Sequence, residues 1–265
     1  MTESQSSLRF EREGAVAVLT MDRPHAANSL DLALSRELME AAIAVDRDES
    51  VRAVLLRSEG KLFSGGGDVG SFARAGDKVP NLISEETAYL HAAVARFARM
   101  DKPLVTAIQG FAAGAGFSLA VLGDIVVAGK AAQFCLAYTG IGLTPDGGAS
   151  WLLPRLIGLR KAQQLLLTNA RLSADDALEI GLVTEVVPDE ELDAAARGWA
   201  ARLAEGPTRA FARCRDLLLS AYGESLETHL EREARGIVES AAGSDGKEGI
   251  ASFLTKRKPH FSGRS

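Results

Sequence analysis

An apolar strand pattern, Leu104 to Ile108, runs straight into a glycine-spaced turn from Gly110 to Gly116. Glycine accepts backbone conformations and close approaches that a Cβ forbids, so such a loop lets N–H groups come near a ligand. Farther on, a lone acid, Asp146, is followed by a second glycine pair, Gly147-Gly148. A carboxylate set near glycine loops is a candidate acid–base.

Strands alternate with helices around this segment. Leu8–Glu11 and Ala15–Met21 read as a hairpin about Glu13-Gly14, and Pro24 ends the second strand. Leu30, Leu34, Leu38, Ala41 and Val45 fall at helical spacing, with Ser29 or Asp31 as N-cap. Val51–Arg57 reads as a short buried strand, Ser64–Gly70 as a glycine loop, and Asn81–Met100 as a helix stopped before Pro103. Ala113–Leu122 predicts a short helix and Ile125–Ala128 a strand. Gly147–Thr168 predicts a helix pair broken near Pro154 and Gly158. Ser173-Ala-Asp-Asp176 has the form of a capping box with Asp in place of Glu, and Val183–Val187 is the last strand.

Beyond Glu190 every pattern is helical: Leu192–Glu205, Thr208–Tyr222, Leu226–Ser240 and Gly246–Lys256. Gly206-Pro207 divides a core over residues 1–206 from a C-terminal helical region over 207–265. The alternation places the chain in the α/β class, and periodicity alone suggests a doubly wound sheet.

The bulk composition excludes several classes. The 265 residues suit one large or two small domains, and 46% hydrophobic with 25% charged residues is ordinary for a soluble globular protein. A net charge of -5 without a basic stripe argues against nucleic acid as a partner. The start, MTESQSSLRF, lacks a cationic-then-apolar leader pattern. The most apolar stretch, Leu104–Ala128, is broken by Gln109, Asp124 and its glycines, so no membrane span is expected. Cys135 and Cys214 have no metal-type spacing, which points to a reduced, cytoplasmic protein without a metal site.

Several motifs carry a resemblance. Phe63-Ser-Gly-Gly-Gly-Asp68 follows a strand, and Ala113-Gly-Ala-Gly116 follows the next one. Asp22-Arg-Pro24, with Ala26 and Asn28, lies early, and Phe253-Leu-Thr-Lys-Arg-Lys-Pro-His-Phe261 lies near the end. Together they resemble the enoyl-CoA hydratase/isomerase (crotonase) family over nearly the whole chain. The resemblance implies a right-handed spiral of ββα turns, with C-terminal helices that pack on partners in a homotrimer or a dimer of trimers. It implies an acyl-CoA thioester as substrate, with coenzyme A as part of that substrate and no other cofactor. The N–H groups of Gly67 and Ala115 match the family's oxyanion hole, which stabilises the charge of a thioester enolate. Arg23, Ala26, Ser64, Gly65, Gly66, Asp68 and Lys256 match its coenzyme A-binding positions, and Lys258 is an alternative to Lys256.

The carboxylates select the reaction. Hydration in this family uses two glutamates, and their positions match Ser118 and Tyr138 here. Their absence argues against a hydratase. Asp146 remains, in Ile141-Gly-Leu-Thr-Pro-Asp-Gly-Gly148. With Trp151-Leu-Leu-Pro-Arg155 it resembles the branch that isomerises the ring epoxide of phenylacetyl-CoA. One carboxylate suffices to move a proton between two carbons of an enolate, so an acyl-CoA isomerase is expected. His91 matches the histidine of the family's aryl-CoA dehalogenases, which gives a hydrolytic alternative through Asp146 and His91. The remaining alternatives are weak enoyl-CoA hydratase activity and a non-enzymatic CoA- or RNA-binding scaffold.

Overall fold

Two sheets share the strands of the chain. The computed structural model describes residues 6–263; part of the start read above for a leader pattern, residues 1–5, lies outside them, as do residues 264–265. In order come β1 (Leu8–Glu13), β2 (Val16–Met21), α1 (Leu32–Arg47), β3 (Ala53–Ser58), α2 (Val69–Ala75) and α3 (Val79–Arg99). Then follow β4 (Leu104–Ile108), β5 (Phe111–Ala113), α4 (Ala115–Ala120), β6 (Ile125–Gly129), β7 (Gln133–Cys135) and α5 (Ala149–Thr168). The last elements are β8 (Leu172–Ser173), α6 (Ala174–Glu179), β9 (Glu185–Val187), α7 (Leu192–Ala204), α8 (Thr208–Ser220), α9 (Leu226–Ala242) and α10 (Ser244–Leu254).

The large sheet has the order β1-β2-β3-β4-β6-β9, and the small one β5-β7-β8. Only β1–β2 is antiparallel in the large sheet; every later pair is parallel. Successive strands such as β4 and β5, then β6 and β7, go to different sheets. This is the ββα spiral that the resemblance implies, and it replaces the doubly wound sheet suggested by periodicity. The strands β5, β7 and β8 escaped the sequence reading because two or three residues carry no measurable period.

Side-chain alternation buries both faces of the large sheet. Val16, Val18, Ala53, Leu55, Val105 and Ala107 face one way, under the alanine face of α7. Ala17, Leu19, Met21, Val54, Leu56 and Ile108 face the main core with Leu34, Leu38, Phe97 and Phe117. Local signals set the helix ends. Asp31 caps α1 by accepting the Leu34 N–H at 2.9 Å. Ser173 and Asp176 form both halves of a capping box on α6. The break in α5 falls at Gly158, whose φ of 76° and ψ of 154° leave the helical region; Pro154 stays inside the first half.

Arginines tie the C-terminal helices back to the rest of the molecule: Arg215 on α8 reaches Asp124 at 2.9 Å, and Arg52 makes a second tie from the sheet. Arg52, just before β3, donates to the Gly206 carbonyl at 2.5 Å, the Phe261 carbonyl at 3.0 Å and the Thr208 hydroxyl at 3.2 Å. Arg52→Met keeps the length of the side chain and removes these donors. It is expected to lower the free energy of unfolding by about 1–3 kcal/mol, measured by urea denaturation.

Candidate active site

The Phe63–Asp68 loop follows β3 and the Gly110–Gly116 turn follows β4, and these strands are neighbours. The two loops are hydrogen-bonded to each other. Ser64 N–H donates to the Phe111 carbonyl at 3.1 Å, and Ala113 N–H donates to the Ser64 carbonyl at 2.9 Å. The buried Ser64 hydroxyl donates to the Asn28 carbonyl at 2.8 Å and accepts the Gly66 N–H at 3.2 Å. Gly66 has φ of +91°, and a Cβ there would stand 2.8 Å from the Ala113 carbonyl oxygen. The approach of the loops therefore requires glycine at this position.

On its other side the first loop pairs with Leu30. Leu30 N–H donates to Gly66 at 2.7 Å, and Asp68 N–H donates to the Leu30 carbonyl at 2.8 Å. In a parallel bridge of this kind the intervening N–H, that of Gly67, is directed away from Leu30. It has no acceptor among the described residues. Ala115 opens α4, where first-turn N–H groups lack intrahelical partners, and its N–H is also free. Both residues line one cavity of about 380 Å³, with Gly65, Gly66, Phe72, Leu90, Tyr138 and Asp146. A larger cavity, about 780 Å³, lies among the C-terminal helices and shares none of these residues.

Asp146 is not a helix cap. Gly148 occupies the N-cap of α5, and Asp146 contributes only its backbone carbonyl, which accepts the Ala149 N–H at 3.2 Å. Its carboxylate is left for other work. Oδ1 accepts the Tyr138 hydroxyl at 2.5 Å. Ser118 Oγ stands 3.2 Å from that hydroxyl and donates to the Asp146 backbone carbonyl at 3.0 Å. Tyr138 and Ser118 thus hold Asp146 in place. Burial, and then the Asp146 charge, push the Tyr138 hydroxyl far above the usual tyrosine range, so it remains a donor.

His91 lies beside this group with half of its side chain exposed. Its Nε2 accepts the Gly147 N–H at 3.1 Å and stands 3.7 Å from Asp146 Oδ2. A nitrogen that accepts carries no proton, so in this arrangement Nε2 does not donate to Asp146. His91 lines a neighbouring groove with Trp151 instead of the cavity.

The structure separates the remaining sequence-derived residues. The Arg23 guanidinium meets Asp31 at 2.9 Å, Asp68 at 3.5 Å and the Ser29 carbonyl. Asp68 also caps α2 by accepting the Ser71 N–H at 3.0 Å. Arg23 therefore ties the starts of α1 and α2 together, and its charge faces two carboxylates. Ala26 ends a single 3₁₀ turn, Pro24–Ala26, beside it. Lys256 is exposed beyond α10, and neither it nor Lys258, which pairs with Glu205 at 3.0 Å, lines the cavity. Among the described residues no group of His, Cys, Asp and Glu could hold a metal ion, and no helix is long and apolar enough to cross a membrane.

Glu86 was missed in the sequence. It lies on α3 one turn before Leu90, on the face buried through Leu90, Ala93 and Phe97. An acid on the apolar stripe of a helix was the available signal. Glu86 lines the cavity, is only 7% exposed, and its Oε1 has no hydrogen-bond partner. Burial first, then the charges of Asp31, Asp68 and Asp146, raise its pKa from the ordinary 4.5 to about 7, against a smaller opposing effect of Arg23.

A spiral of two linked sheets, with two glycine loops and a carboxylate on one apolar cavity, defines a crotonase-type protein. The chain belongs to the enoyl-CoA hydratase/isomerase family, which matches it over residues 11–264. It is 38% identical to a protein of Rhodobacter capsulatus described as a probable enoyl-CoA hydratase, over 98% of this chain and 100% of that one. It is 36% identical to the 1,2-epoxyphenylacetyl-CoA isomerase of Escherichia coli, over 95% of this chain and 97% of that one. A crystal structure of an enoyl-CoA hydratase from Polaromonas superposes with a TM-score of 0.91 at 32% identity, covering 96% of this chain and 99% of that one.

The carboxyl of Glu86 generates a pH test. Its folded-state pKa lies above the unfolded value, so the cost of ionising it is absent below about 4.5 and fully present above about 7. The stability of Glu86→Gln relative to the unmodified protein should rise between these pH values and level off above them. Urea denaturation across the range measures this; a pH-independent difference would show that the carboxyl is not perturbed.

Proposed function

We propose that this enzyme is an acyl-CoA isomerase that uses Asp146 as a single proton carrier. The observation that carries the reading is the Tyr138–Asp146 hydrogen bond at 2.5 Å, which fixes one carboxylate oxygen on the cavity wall and leaves the other free. The thioester carbonyl accepts hydrogen bonds from the N–H groups of Gly67 and Ala115. Asp146 removes a proton from C2, and the negative charge gathers on the carbonyl oxygen between these two donors. The resulting enolate is reprotonated at C4 by the same carboxyl, so the double bond moves and Asp146 returns to its ionised form. Donors aimed at a developing oxyanion contribute about 10²–10³ in rate each.

Hydration requires a second group to activate water, and Ser118 and Tyr138 carry no carboxylate. The dehalogenase chemistry requires a histidine that assists water, and His91 Nε2 already accepts a backbone N–H. Both features favour the isomerase. A 3-enoyl-CoA incubated in deuterated water should give the 2-enoyl isomer with deuterium at C2 or C4 and no added water mass. Asp146→Asn should lower this rate by about 10²–10⁴-fold while affinity for the ester stays within a few-fold. Crotonyl-CoA hydration should be slow or absent. A kcat of roughly 10–10³ s⁻¹ for hydration would instead assign Glu86 the role of a second acid–base.

We further propose that the C-terminal helices mediate self-association. Leu218, Leu226, Ile237, Val238 and Phe253 on them, and Tyr222 in the turn between α8 and α9, are each more than half exposed, an apolar surface of the kind that marks an interface. Sedimentation equilibrium should give a trimer or a dimer of trimers, and Ile237→Asp should weaken it. A monomeric protein would refute this assignment.

A further inference from the structure

The cavity wall carries an unsatisfied polar group that the proton transfer does not use. Most of the wall around Glu86 is apolar, with Ile83 and Leu90 from its own helix and Val69 and Phe72 from α2. The neighbouring Thr87 hydroxyl is already spent on the Ile83 carbonyl at 2.8 Å. The Tyr138 hydroxyl is spent on Asp146. Glu86 is nine-tenths buried and lines the cavity, and its buried Oε1 has no partner among the described residues, so a small rotation of the carboxyl brings an unpaired oxygen to the cavity. A buried polar atom without a partner is destabilising, and such an orphan in a binding cavity is a demand for a partner on the ligand.

We propose that Glu86 selects the acyl group: as a neutral carboxyl it donates a hydrogen bond to an oxygen atom carried on the acyl chain beyond the thioester. The substrate class is therefore oxygen-bearing acyl-CoA esters, with a carbonyl, hydroxyl or ether oxygen in reach of α3. This rests on the acyl-CoA reading given above and specifies it. The neutral form follows from the surroundings. The charged groups around Glu86 are Asp31 at the start of α1, Asp68 at the start of α2, Asp146 before α5, and Arg23. Three of the four are carboxylates, and Arg23 is itself paired with two of them. An acyl chain that displaces water from the cavity removes the remaining solvation of the ionised form. Glu86 then presents O–H, so its complement is an acceptor oxygen.

Calorimetry with saturated esters, which the enzyme does not turn over, tests this. The probes are a straight alkanoyl-CoA, a series of keto analogues with the ketone walked outward from the fourth carbon, and an amino-substituted analogue. The unmodified protein should bind at least one keto ester about 10-fold more tightly than the alkanoyl ester. This preference should fade as the pH rises above about 7, because ionised Glu86 no longer donates. Glu86→Gln keeps an N–H donor and should retain the preference without its pH dependence. Glu86→Leu should reverse the preference in favour of the alkanoyl ester. Equal affinity at every ketone position, a preference that survives in Glu86→Leu, or tighter binding of the amino ester would each overturn the inference while leaving the acyl-CoA reading in place. If the alkanoyl ester itself fails to bind, the acyl-CoA reading falls and takes the inference with it.

Discussion

The backbone pairing between Ser64 and Ala112 is the contact on which the site depends. It brings loops from two neighbouring parallel strands into contact without any side chain between them. Gly66 and Gly116 leave the required space: a Cβ on Gly116 would meet Ser64 Cβ at 2.5 Å. The Ser64 hydroxyl then fixes the loop to the Asn28 carbonyl, so the early Asn28 segment is joined to the same loop through one buried oxygen. The N–H groups of Gly67 and Ala115 then have no acceptor among the described residues. A rigid surround of this kind presents donors without reorganisation when charge develops.

The carboxylates show how environment assigns roles to similar groups. Asp31 and Asp68 begin helices and share Arg23, so they serve the framework. Asp146 is steered by Tyr138 and Ser118 onto the cavity wall. Glu86 has no hydrogen-bond donor among the described residues, and the one cation acting on it, Arg23, is already paired with Asp31 and Asp68. All four face one another closely enough that the charges of the three aspartates act on Glu86. Removing any one of them would change the proton affinity of the cavity.

Much of the frame was legible in the sequence because burial writes itself into periodicity. The strand Leu104–Ile108 reads directly from its apolar run, and α1 from its 3.6-residue spacing. The capping box at Ser173 was visible because side-chain chemistry at a helix start is local. The two glycine loops could be identified, but their contact could not, since it is made by backbone atoms 48 residues apart, between Ser64 and Ala112. The partners of Arg23 were equally hidden: its charge suggests a phosphate, and only the fold places Asp31 and Asp68 around it. Glu86 went unread because an acid within a helix is normally a solvated residue, and its depth depends on packing against α1 and α2.

Arg52 has a consequence for the order in which the molecule assembles. It joins the start of β3 to the Phe261 carbonyl, 209 residues later in the chain. The same strand leads into the loop that carries Gly66 and Gly67. Contacts between distant segments form late, because the chain must first close a long loop. During synthesis this clasp can therefore close only after Phe261 has emerged. Until then the C-terminal region is held to the rest of the molecule only by other contacts, such as those of Arg215 on α8 with Asp124 and the Met100 carbonyl. Phe261 thus acts as a fastener on the strand that leads into the oxyanion-side loop.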